Sequence, residues 1–343
     1  FLDHNIVEEA KVMGIALPAE YGNFTGAIFN LITKSGGNKF SGHTEVTFQN
    51  AATQELPGGF TVPKSGTIWS ATNLQAYAAD FPELTPPMEK LLDVSAHLGG
   101  PILKDKLWFY AGGQFYHSWD WVTGFPLARD YTQPRAFLKL SSQLSRQVNM
   151  SFSAEYDNYN GHNRGASSTV SPEAARNQID PEDVLNFSLT DVINPSTFFD
   201  VKAAYFNGYY NLEPKNGRNL SGQFVLNDAP DWPGSGNKRH YNAWAWSEHP
   251  RYRLQVNASL THYAENFIKG NHEFKFGVEV EKSKVRDTMS YTGTNHWYYY
   301  DYWGPSYYEG YPYAGNDYAN EYLGYNNDMR IARVEAFAQD AWQ

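Results

Sequence analysis

Cysteine is absent from the 343 residues, which removes disulfide scaffolds, thiolate nucleophiles and cysteine-ligated zinc. Long apolar runs are absent too, and nothing approaches the roughly 18 residues that a membrane-spanning helix needs. Charge is sparse at 19%, and the basic side is the smaller one, 27 Lys and Arg against 37 Asp and Glu for a net charge of −10. Without a basic stripe to neutralise phosphates, a nucleic-acid partner is excluded. What the chain does have is aromatic residues, 25 Tyr, 21 Phe and 10 Trp, too many for a disordered chain. Its mean hydropathy is nonetheless −0.58. The sequence opens at Phe1-Leu2-Asp3 with no initiator Met or signal peptide and stops at Ala341-Trp342-Gln343 inside a strand pattern. It is therefore expected to be part of a longer protein.

The strongest pattern is period-two alternation over about ten residues. Tyr252, Leu254, Val256, Ala258 and Leu260 alternate with Arg251, Arg253, Gln255, Asn257 and Ser259. Phe274, Phe276, Val278 and Val280 alternate with Lys275, Gly277, Glu279 and Glu281. Ten strands are predicted near 42–50, 90–102, 106–118, 135–145, 147–158, 183–193, 197–210, 250–264, 272–286 and 331–343. In the third of these, Leu107, Trp108, Phe109 and Tyr110 run together and leave the register open.

The connections alternate in length. Short ones fall at Leu103–Lys106, Ser145–Gln147, Asn194–Ser196 and Lys269-Gly270-Asn271, and long ones cover 51–89, 119–134, 159–182, 211–249 and 287–330. A soluble all-β protein, the competing reading, has no reason to gather its long loops at one end. A transmembrane antiparallel β-barrel does, with short periplasmic turns, long extracellular loops and apolar-out, polar-in strands. Arg251, Arg253, Lys275, Glu279 and Glu281 are then expected on the lumen face.

The first forty residues break this rhythm. They carry Ala19-Glu20-Tyr21-Gly22-Asn23-Phe24-Thr25-Gly26-Ala27 and, through Asn30, Thr33-Lys34-Ser35-Gly36-Gly37-Asn38. This resembles the end of the plug domain of a TonB-dependent outer-membrane receptor, with Ala27 in place of a second glycine. Ile6–Val12 is similar to the plug strand that precedes that motif. Leu98-Gly99-Gly100-Pro101-Ile102-Leu103-Lys104-Asp105-Lys106-Leu107-Trp108-Phe109 resembles a hairpin of the Oar-like branch, as do Val192–Phe198, Gly270–Gly277 and Phe337–Trp342. The resemblance implies an all-β fold: a barrel of 22 strands, about 10 of them present here, with the end of a plug. Residues 1–41 would be plug and 42–343 barrel. The plug motif residues are Glu20, Tyr21, Gly22, Gly26, Asn30, Thr33, Lys34, Gly36 and Gly37; their glycines are expected to supply backbone freedom at sharp turns.

No catalytic motif is present: no H-E-x-x-H, G-x-S-x-G or Walker loop, and the ten histidines are scattered. The chain is not expected to be an enzyme, and no cofactor is implied. The compositional extreme is 287–330, with Trp297, Tyr298, Tyr299, Tyr300, Tyr302, Trp303, Tyr307, Tyr308, Tyr311 and Tyr313 and a net charge of −5. It reads either as a substrate- or partner-binding loop, suited to a cationic peptide or Ca²⁺, or as aromatics packing on themselves or the barrel rim. Asp157–Asn163 resembles a Ca²⁺ loop but lacks a distal carboxylate at the right spacing.

By resemblance, the expected function is capture of a large peptide, protein or glycan at the extracellular face and its import or handling by a plug that the TonB complex pulls. Outer-membrane lipid is the expected surrounding and the bacterial outer membrane the location. Two alternatives are an outer-membrane scaffold for a surface lipoprotein or secreted partner, and a passive pore.

Overall fold

The computed structural model describes residues 3–14, 27–50, 88–120, 122, 125, 127–167, 169–225, 238–294, 297–301, 318–321 and 323–342. A 3-10 turn at His4–Ile6 leads into β1 (Val7–Met13), which pairs antiparallel with β2 (Ile28–Thr33) as a separate hairpin. The wall then begins with β3 (Ser41–Asn50), β4 (Met88–Leu103), β5 (Leu107–Asp120), β6 (Arg129–Gln143), β7 (Val148–Arg164), β8 (Arg176–Asn194) and β9 (Thr197–Gly208). Four short strands follow: β10 (Asn211–Pro214), β11 (Gln223–Val225), β12 (Lys238–His240) and β13 (Ala245–Glu248). The wall resumes with β14 (Arg251–Phe267) and β15 (Gly270–Tyr291). After β16 (Trp297–Asp301) and β17 (Tyr318–Glu321), β18 (Tyr325–Trp342) completes the described chain.

The ten long strands make an antiparallel meander in the order β3-β4-β5-β6-β7-β8-β9-β14-β15-β18. These are the ten predicted strands. Among the described residues β3 pairs only with β4 and β18 only with β15, so the wall has two edges.

The register puts even and odd residues on opposite faces, and burial is inverted relative to a water-soluble sheet. Phe276, Val278 and Val280 on the outer face are about half exposed (51%, 50% and 49%), whereas Ser95, Ser118 and Thr261 on the other are 2% or less. That distribution suits a wall whose outer face meets lipid and whose inner face holds polar groups together. None of the described helices is long and apolar enough to cross a membrane. The open register of β5 is settled by Tyr110 lying opposite Gly99 and Lys139: Trp108 and Tyr110 face inward, Phe109 outward. The five expected lumen residues share one face, where Arg253 pairs with Glu281 at 3.0 Å and Arg333 bridges Glu281 at 2.7 Å and Glu279 at 3.3 Å.

The strands run farther at the loop end than their alternation indicated. The predicted loop 159–182 shrinks to 165–175, the loop 119–134 gives up 129–134 to β6, and β15 and β18 extend to Tyr291 and from Tyr325. Above the lipid both faces of a ladder can be polar, so pairing continues where periodicity stops. Loops 211–249 and 287–330 hold short strands instead of irregular chain: β10 and β13 bridge the outer ends of β8 and β15, and β12-β11-β16-β17 form a small sheet. The predicted loop 51–89 lies outside the described residues except for the start of β4. At the opposite end, Ile268 and Lys269 have φ of 40° and 62° and make a two-residue turn, while the expected turn residue Gly270 already belongs to β15. Two positive φ values are what a type I′ hairpin demands, and here non-glycine residues supply them.

Val278 sits mid-band on the outer face. Val278→Arg in lipid vesicles is expected to cost about 2–4 kcal/mol, against under about 1 kcal/mol for Asn186→Arg on the inner face. Denaturant titration of the full-length protein measures both, and equal losses would contradict the assignment of faces.

Candidate functional site

The inner face carries two constructed regions, one near the turn end and one at the loop end. Near the turn end the segment before β1 is seated against β4, β5 and β6. Asp3 accepts a hydrogen bond from the Asn5 amide at 2.9 Å and is joined to His97 Nε2 at 2.8 Å, both side chains being nearly inaccessible. The His97 ring stacks on Tyr110 at 5.9 Å, and the Tyr110 hydroxyl donates to the Asn5 carbonyl at 3.3 Å. Ile6, 1% exposed, fills the gap between Tyr110 and Phe137. Gly112 lies opposite His97, and a Cβ there would come within 2.0 Å of the imidazole, so only glycine admits the ring.

Of the motif residues that are described, Thr33 and Lys34 lie at this seat. Lys34 donates its amide to the Ile6 carbonyl at 2.8 Å. Thr33 accepts Lys139 Nζ through its carbonyl at 2.8 Å and its hydroxyl at 3.1 Å. Asn30 pairs with Lys11 inside the hairpin. Gly36 and Gly37 do not adopt the positive φ expected of turn glycines. Gly36 is needed for close approach: a Cβ would lie 2.1 Å from the Phe109 carbonyl oxygen. Glu20, Tyr21, Gly22 and Gly26 lie outside the described residues. Sequence reasoning did not single out Asp3, His97 or Tyr110, because the partners stand 94 and 105 residues apart. Asn38, the last residue of the quoted motif, accepts from the Trp108 indole N–H at 2.8 Å and the Asp105 amide at 2.9 Å and so ties the linker to the β4–β5 turn.

At the loop end, β6, β7 and β8 line an open pocket of about 330 Å³. Its wall includes the stacked rings of Tyr131 and Tyr159, 4.9 Å apart, continued by Tyr116 at 5.4 Å from Tyr131. Arg164 lies over Tyr159 at 5.8 Å. Three carboxylates border the space. Asp157 takes both oxygens' worth of Gln133 amide (2.9 and 2.7 Å) and Arg135 Nε at 3.1 Å. Asp180 accepts the Asn211 amide at 2.9 Å and the Gln178 side-chain amide. Glu182 has Arg251 at 3.8 Å. Most of these residues fall within the predicted loops 119–134 and 159–182, where no periodicity marked them. The Asp157–Asn163 stretch is strand rather than a Ca²⁺ loop, with Asp157 turned to Gln133 and Arg135, and Asn163 donating to the Ala128 carbonyl. No cluster of three or more metal-ligating side chains occurs among the described residues.

Above the cavity the connections are knotted together. Arg218 bridges Glu213 and Glu248 and covers the Trp246 ring at 3.9 Å; hydrogen bonding to Glu213, then Glu248, raises its already high pKa. Asn242, fully buried, donates to the Gly217 and Leu220 carbonyls at 2.8 and 2.6 Å. Thr292 Oγ1 donates to the Ala243 carbonyl at 2.6 Å and accepts the Gly222 amide at 3.2 Å. Lys215, its pKa lowered by burial, donates to Asn163. Of the aromatic loop, Trp297, Tyr298, Tyr299 and Tyr300 have their backbone in β16, paired with β17 and β11. Tyr302, Trp303, Tyr307, Tyr308, Tyr311 and Tyr313 lie outside the described residues.

No family model matches the chain. Over 112 residues, 32% of this chain and 9% of the relative, it is 33% identical to the TonB-dependent transporter Oar of Myxococcus xanthus. In fold it is similar to the outer-membrane transporter YddB of Escherichia coli, with a TM-score of 0.66 and 11% identity over 100% of this chain and 42% of that one. It is also similar to FpvA of P. aeruginosa, solved with bound pyoverdine, with a TM-score of 0.57 and 11% identity over 99% and 43% of the two chains. The chain thus spans 9% of the curated relative's length and 42% of the YddB chain's. At such identities the solved structures speak for the fold alone, and the Oar match supplies the link in sequence. Together they show that this chain has the fold of a stretch of an outer-membrane β-barrel and is similar in sequence, over 112 residues, to a TonB-dependent transporter.

Proposed function

We propose that the protein captures a large substrate, a peptide, protein or glycan, at its extracellular face and takes it inward when the TonB complex pulls on a plug. In this reading residues 1–41 are the end of the plug and 42–343 the first part of the barrel. The observation that carries it is the hairpin β1–β2, hydrogen-bonded to itself and fastened to the inner wall by a few side chains: Asp3 on His97, Ile6 between Tyr110 and Phe137, and Thr33 on Lys139. A handful of such contacts holds an element in place yet leaves it releasable by force. A strand hydrogen-bonded into the wall would give up a whole ladder before it moved. The same seat counts against a passive pore, because Asp3 and Ile6 pack on inner-face residues of β4, β5 and β6. The knotted loop end would present the substrate-facing surface, with the aromatic loop as part of it.

Two outcomes follow. Deleting TonB should abolish uptake of a fluorescent peptide pool by cells carrying the full-length protein while surface binding of the same pool persists; uptake that survives the deletion would sink the import reading. In the purified protein, His97→Ala should leave the buried Asp3 carboxylate with only the Asn5 amide, a loss of about 1–3 kcal/mol. Hydrogen exchange across residues 3–14 should then quicken while the amides of β14 and β15 keep their protection. Unchanged exchange in that segment would show that this contact does not hold the hairpin.

A further inference from the structure

We propose that the open pocket lined by β6, β7 and β8 is a subsite for a cationic side chain, a guanidinium or ammonium, of a peptide substrate; this rests on the capture role proposed above and names the chemistry of one place in it. Register brings the walls together: Asp157 lies opposite Glu182 and Tyr159 opposite Asp180, with Gly161 facing Gln178. The three carboxylates alone would not make a site, since each has some protein partner. The second observation is Gln178. Its side chain is 5% exposed and lines the cavity, and its Oε1 has no hydrogen-bond partner. The amide orientation is fixed by Asp180, because only the NH₂ end can donate to a carboxylate. The orphan is therefore an acceptor, and a buried acceptor left unmatched carries a desolvation cost that a donor-bearing ligand removes.

Counting donors against acceptors points the same way. The Gln133 amide and Arg135 are committed to Asp157, and the Gln178 amide and the Asn211 amide to Asp180. Arg164 is placed over a ring, and Arg251 reaches Glu182 only at 3.8 Å, outside hydrogen-bond range. What stays open is the Gln178 oxygen and, apart from the distant Arg251, the Glu182 carboxylate, both on the β8 side of the pocket. The aromatic surface excludes the main rival, a sugar. A sugar ring would need an open aromatic face, but Tyr131 is sandwiched between Tyr116 and Tyr159. Tyr159 in turn is covered by Arg164, with Gly161 close beside it. The Arg164–Tyr159 contact shows that this wall already accommodates a guanidinium. A volume of about 330 Å³ lies at the small end of the ~300–1,000 Å³ usual for ligand pockets. That suits one side chain with part of its backbone. The net charge of −10 would draw such a ligand inward from a distance.

The test uses full-length receptor purified in detergent and two fluorescent probes, tri-arginine and maltotriose, titrated with no TonB present. Tri-arginine is expected to bind. Glu182→Gln, which keeps the shape and removes the charge, should weaken it about tenfold or more. Gln178→Met, which removes the orphan acceptor, should weaken it severalfold. Asn186→Gln, elsewhere on the lumen face, should change nothing. If Glu182→Gln fails to fold into a barrel, Gln178→Met carries the test. Equal tri-arginine binding in wild type and in both variants would overturn the proposal, as would maltotriose binding that those substitutions reduce. Because TonB takes no part, a failed subsite leaves the import reading intact, and TonB-independent uptake would leave the subsite intact.

Discussion

Hydrocarbon offers no hydrogen-bond partner to a peptide group. Every backbone N–H and C=O that crosses it must find its mate in the protein, and in strands that mate is on the neighbouring strand. The ten-strand wall is the direct consequence: each long strand is joined to the next by a long antiparallel ladder, and the return at one end needs only a few residues. The same constraint turns burial inside out. Lipid accepts Phe276, Val278 and Val280 on the outer face without cost, so polar side chains must gather on the inner one, where Ser118 and Thr261 are almost wholly covered.

That inner polar face decides how the hairpin is held. An apolar lumen would bind β1 and β2 by area and resist their departure over the whole surface. A polar lumen offers discrete attachments, among them a buried carboxylate on an imidazole, an isoleucine between two rings, Asn5 held by Tyr110 and Ser95, and a lysine on a threonine. Gly112 and Gly36 make the fit possible by yielding the space that a side chain would occupy, the first to the His97 ring and the second to the Phe109 backbone.

Beyond the lipid the constraint is lifted, and the chain behaves differently. Strands continue upward with polar residues on both faces. Order there comes from side chains bound to backbone carbonyls, Asn242 and Thr292 above all, and from the Arg218 bridge between two glutamates. The result is a built rim over a cavity with tyrosines and carboxylates, rather than a set of free loops.

The ten wall strands and their alternating connections were legible in the sequence, because lipid on one side and polar groups on the other impose period two on residues such as Leu254, Val256 and Leu260. The pairing of short turns with one end was legible for the same reason. Their upper extensions were not, since Asp180 and Glu182 sit where both faces tolerate polar groups and no period survives. The plug-like motif was visible as a run of residues, but its fastening was not: Asp3 meets His97 across 94 positions, and Tyr116, Tyr131 and Tyr159 come from three different strands. The sequence by itself determined which residues face lipid, because that is a local choice made every second residue. Only the tertiary structure decided what meets in the lumen, because the register between strands distant in the chain sets those meetings and leaves no local trace.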